Sequence, residues 1–169
     1  MTGTDADARV QDLARLHHRP LVRAMALICG SVAEAEGAVQ DAFLALWQAE
    51  CRGEAISSPR AWLTTASMNR LRSGWRRRVR QDKYLDNLAL EPAGPDIGPD
   101  LAAAMALRAT LATLPTRQRE ATVLYYLFDL SVDAVAAAMG TSPGMVKNAL
   151  FRARRTMATS LGEPKEVSR

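Results

Sequence analysis

The sequence predicts an all-α protein made of two small helical domains that are joined by a flexible linker. Alanine and leucine abound whereas aromatic residues make up only 5% of the chain, a balance that favours helices over β-sandwiches. Apolar residues recur at helical spacing, and no stretch alternates as a strand would. Five of the ten residues at 91–100 are proline or glycine, so this segment cannot continue a helix. We therefore expect domains at 8–85 and 101–161, with the linker at 86–100.

Composition excludes several classes of protein. With 169 residues, of which 48% are apolar and 24% charged, the chain can bury a core and is not globally disordered. Two cysteines, Cys29 and Cys51, are too few for a disulfide framework or a Cys-only zinc site. The longest apolar runs, such as Ala24–Cys29, fall far short of the roughly 18 residues that a membrane span needs. The acidic first residues do not resemble a signal peptide. We expect a cytoplasmic protein without a membrane span, whose cysteines are reduced.

The first domain is predicted to contain three helices. The first ends at Gly30 and has a kink at Pro20. Ser31 is a candidate N-cap for a second helix, Val32 to about Gln48, and Pro59 opens a third helix at its favoured first position. The second helix carries an apolar stripe, which consists of Val39, Phe43, Leu46 and Trp47.

The second domain is predicted to contain helices at about 101–113, 116–128, 131–138 and 143–160. Ser131 can cap the third of these, Gly140 can end it, and Ser142 with Pro143 can start the next. A short helix, a tight turn and a longer helix are typical of a helix-turn-helix. On the longer helix the residues expected to face the core are Val146, Leu150, Ala153 and Met157.

The other face of that last helix carries side chains suited to DNA. Lys147 and Arg155 can contact phosphates, whereas Asn148 and Arg152 can pair with base edges in the major groove. An exposed Phe151 could contact a thymine methyl group. The alternative is an ordinary amphipathic helix with solvated arginines, but the Gly–Thr–Ser–Pro turn favours DNA binding.

Charge is strongly segregated along the chain. Net charge is −3 over residues 1–59, +7 over 60–83, −4 over 84–100 and +4 over 101–169. This order predicts two separate basic surfaces, which a protein that grips an extended polyanion at two places would need. Two solvated helix faces are the simpler alternative.

The basic segment of the first domain interleaves seven arginines with two tryptophans and one asparagine between Ser58 and Arg80. Arginines there can contact phosphates, and the aromatic and polar side chains can hold bases that have left the duplex. We expect Trp62 to be buried and Trp75 to be the exposed candidate for nucleic-acid contact.

In their order and spacing, these segments resemble the extracytoplasmic-function sigma factors of bacteria. Ala35–Trp47 is similar to the helix that docks on RNA polymerase, Ser58–Arg70 to the segment that melts and reads the −10 promoter element, and two segments, Leu114–Glu120 and Val146–Arg154, to the region that reads the −35 element. The match covers roughly 10–82 and 101–160, with the linker where the family lacks its third region.

The resemblance implies a function and a role for particular residues. The chain would give RNA polymerase core enzyme its promoter specificity, without cofactor or catalysis, and anti-sigma partners are common in the family. Its acidic linker would follow a positively charged polymerase channel. The resemblance assigns Lys147, Asn148, Phe151 and Arg152 to the −35 duplex, Asn69 to the −10 element, and Gln40 and Asp41 to polymerase docking. Together with their neighbours of suitable type, the candidate residues are Lys147, Asn148, Phe151, Arg152 and Arg155 for −35 duplex; Asn69, Arg70, Ser73, Trp75, Arg76 and Arg77 for the −10 element; and Gln40, Asp41, Phe43 and Trp47 for polymerase docking.

Four positions depart from the family pattern. Gly37 stands where an acidic residue is usual, which also costs about 1 kcal/mol of helix propensity relative to alanine. Ser73 replaces a common Asp or Asn, Met145 a usual Thr, and Ala149 a frequent Arg. These departures bear on promoter sequence and on affinity for polymerase.

Three other interpretations account for the sequence less well. An autonomous helix-turn-helix regulator would bind a palindromic operator as a dimer, with half-sites about one helical turn apart, but no dimerisation helix is evident. A helical adaptor that binds only protein would leave both basic surfaces unexplained. An enzyme is disfavoured because the chain has no phosphate loop, and because the adjacent His17 and His18 would point about 100° apart on a helix and so make a poor metal pair.

Overall fold

The computed structural model describes residues 3–81 and 101–160. In this part of the chain there are seven α-helices and no strand, as the sequence predicts. The predicted linker at 86–100 lies outside the described residues, so the predicted domain bounds stay a prediction. The helices are α1 (Gly3–Cys29), α2 (Val32–Cys51), α3 (Pro59–Gln81), α4 (Leu101–Ala112), α5 (Thr116–Thr122), α6 (Val132–Met139) and α7 (Pro143–Ser160).

Local capping signals fix several helix ends. Gly30 has a φ of +81°, and this left-handed backbone ends α1 because glycine adopts it without steric cost. The Ser31 hydroxyl then accepts a hydrogen bond from the Glu34 N–H at 3.3 Å and so begins α2. Pro20 lies inside α1, which remains helical through it.

One helix differs from the prediction. The helix expected at about 116–128 is α-helical only as far as Thr122, and Val123–Leu127 forms a π-helical turn that continues it. The Phe128 N–H donates to the Val123 carbonyl at 2.9 Å, which is the i→i−5 bond of a wider turn. Helix periodicity does not distinguish such a turn from an α-helix, so the sequence could not predict it.

The helices bury one continuous apolar core. Helices α1, α2 and α3 pack together around Met25, Leu46 and Leu63, each fully buried. The helices of the second domain surround a set of buried residues that includes Leu124, Val135, Val146 and Leu150. Burial of apolar surface of this kind is the main favourable term in folding.

The two domains also pack against each other, which the sequence did not predict. Helix α3 contacts α6, and α1 contacts both α5 and the π-helical turn. Buried residues of both domains therefore belong to the same core cluster. This packing sets how the two basic helices, α3 and α7, lie relative to one another.

Within the described residues, no helix is both long and apolar enough to cross a membrane. In the same part of the chain, no three His, Cys, Asp or Glu side chains cluster where they could hold a metal ion. Cys29 is buried and Cys51 exposed, and neither forms a disulfide bond.

Candidate nucleic-acid and polymerase interfaces

Helix α7 presents one exposed face that contains all five residues predicted to contact duplex DNA. Its opposite face is buried at Val146, Leu150 and Ala153, and Met157 is partly buried against the same core. This division follows the i, i+4, i+7 spacing of an amphipathic helix. The exposed residues are Lys147, Asn148, Phe151, Arg152 and Arg155.

Phe151, the apolar residue of this face, forms a cation–π contact with a neighbouring arginine. Phe151 is 53% exposed, and the Arg155 guanidinium lies 5.9 Å from the centre of its ring, within the range of a cation–π contact. Arg154 points away from this face, because its Nη1 donates to the Tyr126 hydroxyl at 3.1 Å. The exposed face thus contains amide and guanidinium groups, the types that pair with base edges. It also contains the cationic side chains that typically contact phosphates.

The turn before α7 is held by backbone geometry. Gly140 has a φ of +60°, and its N–H bonds to the Ala137 carbonyl while the Thr141 N–H bonds to the Ala136 carbonyl. These two bonds form the Schellman motif that ends α6. The Ser142 hydroxyl accepts from the Met145 N–H at 3.3 Å and caps α7. The helix-turn-helix predicted from the sequence is therefore present.

Helix α3 carries a second polar and basic face. Asn69, Arg70, Ser73, Arg76 and Arg77, all predicted to contact the −10 element, are exposed on it. The Arg76 guanidinium donates to the Ser73 hydroxyl at 3.4 Å. The structure therefore brings five of the six predicted residues to one surface.

The prediction for the tryptophans of α3 was wrong in part. Trp75, expected to be exposed, is half-buried, and among the described residues no acceptor is bonded to its buried indole Nε1. Trp62, expected to be buried, is also half-buried, and both pack against the core. Both tryptophans lie at the boundary of the helix face that packs inward, where a spacing pattern alone does not decide burial.

Helix α2 exposes only part of the predicted polymerase-docking set. Gln40 and Asp41 are exposed, and Trp47 is 38% exposed with its Nε1 donating to the Asp7 carboxylate at 2.6 Å. Phe43 is 8% exposed and lies 5.9 Å from the His18 ring. Phe43 is therefore a core residue and not a docking contact, because its position on the helix turns it towards α1.

A groove between α2 and α3 was not predicted. Its volume is about 380 Å³, and a Cβ placed on Gly37 would meet nothing within 4 Å. Asp41 and Arg70 face each other across it, with 3.9 Å between carboxylate and guanidinium. Its lining combines small and charged residues with one leucine: Glu34, Gly37, Ala38, Asp41, Arg70, Leu71, Ser73, Gly74 and Arg77.

Charged groups are also buried where the domains meet. The Glu120 side chain is 2% exposed, and its Oε2 lies 3.4 Å from Arg117 Nη1 and 3.7 Å from Arg72 Nη2. Burial raises the pKa of Glu120, and the two arginines partly oppose that rise. Burial likewise lowers the pKa of Arg72, against the attraction of Glu120. The carboxylate thus links α5 to α3.

Known proteins share both halves of this arrangement. A family model for sigma-70 region 2 matches residues 13–81, and one for sigma-70 region 4 matches residues 104–157. An ECF RNA polymerase sigma factor of Caulobacter vibrioides, SigF, is 32% identical over 165 residues, which cover 94% of this chain and 89% of the relative. The chain belongs to the extracytoplasmic-function sigma factors of the sigma-70 family.

Other sigma factors extend the similarity. SigM of Mycobacterium tuberculosis is 30% identical over 152 residues, covering 89% of this chain and 76% of the relative. The solved structure of RpoE of Bartonella quintana with the anti-sigma factor NepR has a TM-score of 0.73 at 26% identity, covering 94% of this chain and 98% of that one. The structure of CnrH with the cytosolic domain of CnrY shares the fold, with a TM-score of 0.64 at 24% identity and 94% of each chain covered.

The four departures of this sigma factor from the family pattern lie in different surroundings. Gly37, Ser73 and Met145 are all exposed, Met145 to 59%. Ala149 is instead half-buried and packs against the core. An arginine at 149 would therefore have to extend past this contact to reach DNA, whereas the other three positions are open to a partner.

Proposed function

We propose that this sigma factor divides promoter recognition between the exposed faces of α3 and α7. As a sigma factor, the chain directs promoter-specific initiation by RNA polymerase. The observation that supports this division is that the sequence-predicted basic and amide side chains of both helices are exposed in the same chain. Two such surfaces can contact a promoter at two separate elements.

The α7 face would read the −35 element as duplex DNA. Asn148 and Arg152 would contact base edges, because amide and guanidinium groups pair with bases in a bidentate manner. Lys147 and Arg155 would contact phosphates and fix the register of the helix in the major groove. Phe151, supported by Arg155, would contact a thymine methyl group.

The α3 face would hold the unpaired −10 strand. Asn69 and Ser73 offer hydrogen bonds to a base that has left the stack, and Arg70, Arg76 and Arg77 would neutralise backbone phosphates. Trp75 would contribute only through the exposed part of its ring, since its Nε1 is buried. Holding unpaired bases would stabilise the open bubble.

Polymerase docking would use the exposed residues of α2, namely Gln40, Asp41 and Trp47. Phe43 is omitted because it is buried. Gly37, which is exposed one turn before Gln40 and Asp41, leaves this surface without the acidic side chain that is usual in the family, so we expect weaker binding to polymerase there.

The chain itself would catalyse no reaction and would act in the cytoplasm, where RNA polymerase works. A structurally similar sigma factor, RpoE of Bartonella quintana, was solved with the anti-sigma factor NepR. We propose that an anti-sigma factor also binds this chain and covers its DNA-reading and polymerase-docking faces.

Run-off transcription with core polymerase and a genomic promoter library tests the proposal. We expect transcripts only when the protein and core polymerase are both present, from promoters that share −10 and −35 sequences. The protein alone should bind these promoters weakly. Specific binding of a palindromic duplex by the pure protein, unaffected by polymerase, would instead support the autonomous dimeric regulator.

A further inference from the structure

The beginning of α1 packs against the C-terminal end of α2. Ala6 is 1% exposed, so burial holds this part of the helix in place. The Asp7 carboxylate accepts a hydrogen bond from Trp47 Nε1 at 2.6 Å, and Arg9 Nη1 lies 3.4 Å from Glu50 Oε2. The beginning of α1 therefore lies beside the part of α2 that exposes Trp47.

An ion pair anchors this part of α1 independently of Trp47. The Glu50 side chain is 1% exposed, and neither of its carboxylate oxygens accepts a hydrogen bond within the described residues. Arg9 supplies a positive charge beside it, which matters because a buried carboxylate without a partner is unfavourable. Removing the bond between Asp7 and Trp47 should therefore leave the beginning of α1 in place.

The bond to Asp7 restricts the orientation of the Trp47 ring. The indole N–H is the only hydrogen-bond donor of a tryptophan side chain, so a bond from it to Asp7 fixes how the ring is turned. A hydrogen bond to an ionised carboxylate is shorter and stronger than one between neutral groups. Trp47 is nevertheless 38% exposed, so the ring is held at one edge and is open to a partner elsewhere.

We propose that Asp7 is a positioning residue for polymerase docking, which holds the Trp47 ring in the orientation that RNA polymerase binds. The inference rests on the proposed docking role of Trp47. Without Asp7 the ring would distribute over several staggered rotamers, and polymerase would bind only the fraction of chains in which the ring is correctly turned. A fraction of roughly a third to a tenth gives about three- to tenfold weaker binding.

Equilibrium binding of the full-length chain to immobilised core polymerase tests the proposal. Asp7→Ala should raise the Kd about three- to tenfold. Asp7→Asn should change it by less than about twofold, because the amide oxygen can still accept from the indole. Asp12→Ala is the matched control and should leave the Kd unchanged, because Asp12 is also an exposed aspartate of α1 but pairs with Arg15 on the same helix.

Coupling between the two residues distinguishes positioning from a direct contact of Asp7 with polymerase. Trp47→Phe keeps an aromatic ring but lacks the donor, so Asp7→Ala should have no further effect on the Kd in that background. An equal effect of Asp7→Ala in both backgrounds would show that the carboxylate acts by its own charge and would overturn the proposal. An Asp7→Asn variant that binds as weakly as Asp7→Ala would do the same.

The indole N–H resonance of Trp47 reports the bond directly in the free, full-length protein. The chain has three tryptophans, and the resonance of Trp47 is the one that is lost in Trp47→Phe. Asp7→Ala should shift this resonance and leave those of Trp62 and Trp75 in place, with the helicity by circular dichroism unchanged. A Trp47 resonance that does not move would show that Asp7 does not hold the ring, which contradicts the proposal.

Trp47→Ala separates the positioning role from the proposed docking role. If this variant binds core polymerase more weakly but Asp7→Ala does not, Trp47 docks without help from Asp7 and only the positioning role is overturned. If Trp47→Ala binds core polymerase as tightly as the native chain, the docking role of Trp47 is contradicted, and the positioning role falls with it.

Discussion

Arg152 and Arg154 are two residues apart on α7 and have different surroundings. Arg152 is exposed on the face with Asn148 and Lys147, whereas Arg154 is bonded to the Tyr126 hydroxyl at 3.1 Å. Both are basic and both lie in the segment that resembles the recognition helix, so residue type alone does not separate them. Helical spacing does, since two residues correspond to about 200° of rotation.

Arg152→Ala should relax discrimination at one −35 base pair by about 1–3 kcal/mol, because a bidentate base contact is lost. Lys147→Ala should instead weaken all promoters about equally and reduce the salt dependence by about one unit of slope, as expected for a lost phosphate contact. Initiation by holoenzyme on a set of −35 variants, at several salt concentrations, measures both. Arg154→Ala is the control, and an equal loss of discrimination in that variant would argue against this assignment of the face.

Among the elements, α6 and α7 show which features can be predicted from local capping residues. Ser131, Gly140 and Ser142 were predicted as caps, and each forms the backbone contact expected of it. The same approach predicted one helix at 116–128 and did not predict the π-helical turn at its end. Caps depend on a few neighbouring residues, whereas a wider turn depends on how the whole segment packs.

Gly140→Ala should lower the free energy of unfolding by about 1–2 kcal/mol, because alanine is strained at a φ of +60°. Gly140→Asn should cost less, since asparagine tolerates this conformation better. The matched control is Gly144→Ala within α7, where the nearest atom to a new Cβ is 4.0 Å away, and alanine should stabilise by about 0.5–1 kcal/mol. Urea unfolding measures all three, and an equal response at both glycines would contradict the role given to the turn.

At the scale of the whole molecule, the segregation of charge along the chain corresponds to distinct surfaces, which the net charge does not indicate. The two basic stretches predicted from the sequence form exposed faces on α3 and α7, yet part of the first stretch is also used internally. Arg60 and Arg72 face the second domain, and Arg72 is only 17% exposed. The same basic segment therefore has one exposed face, which we propose contacts nucleic acid, and another face that packs against the second domain.

Glu120 should make stability depend on pH in a way that a glutamine variant does not. Burial raises its pKa in the folded chain, while Arg72, Arg117 and Arg119 oppose the rise. A raised pKa contributes stability that is fully present below the ordinary value of 4.5 and is lost as pH rises through the folded value. The native chain should therefore gain stability relative to Glu120→Gln as pH falls from 7 towards 4.5.

Urea unfolding of both proteins at several pH values gives this difference directly, since the other carboxylates titrate in both and cancel. A difference that shrinks as pH falls would show that the surrounding arginines outweigh burial and hold the pKa of Glu120 below its ordinary range.

The sequence by itself determined the all-α class, most helix ends, the helix-turn-helix and the family, because these follow from spacing and caps within a few residues of each other. Tertiary structure decided the burial of Phe43, the half-burial of both α3 tryptophans, the groove between α2 and α3 and the contacts between the domains. Those features depend on groups far apart in the chain, such as the hydrogen-bonded pairs Arg108 and Gly30 or Arg60 and Phe128. No local sequence pattern indicates which distant residues will come into contact. The exposed basic faces of α3 and α7 were thus predicted from the sequence, whereas the contacts between the domains were not.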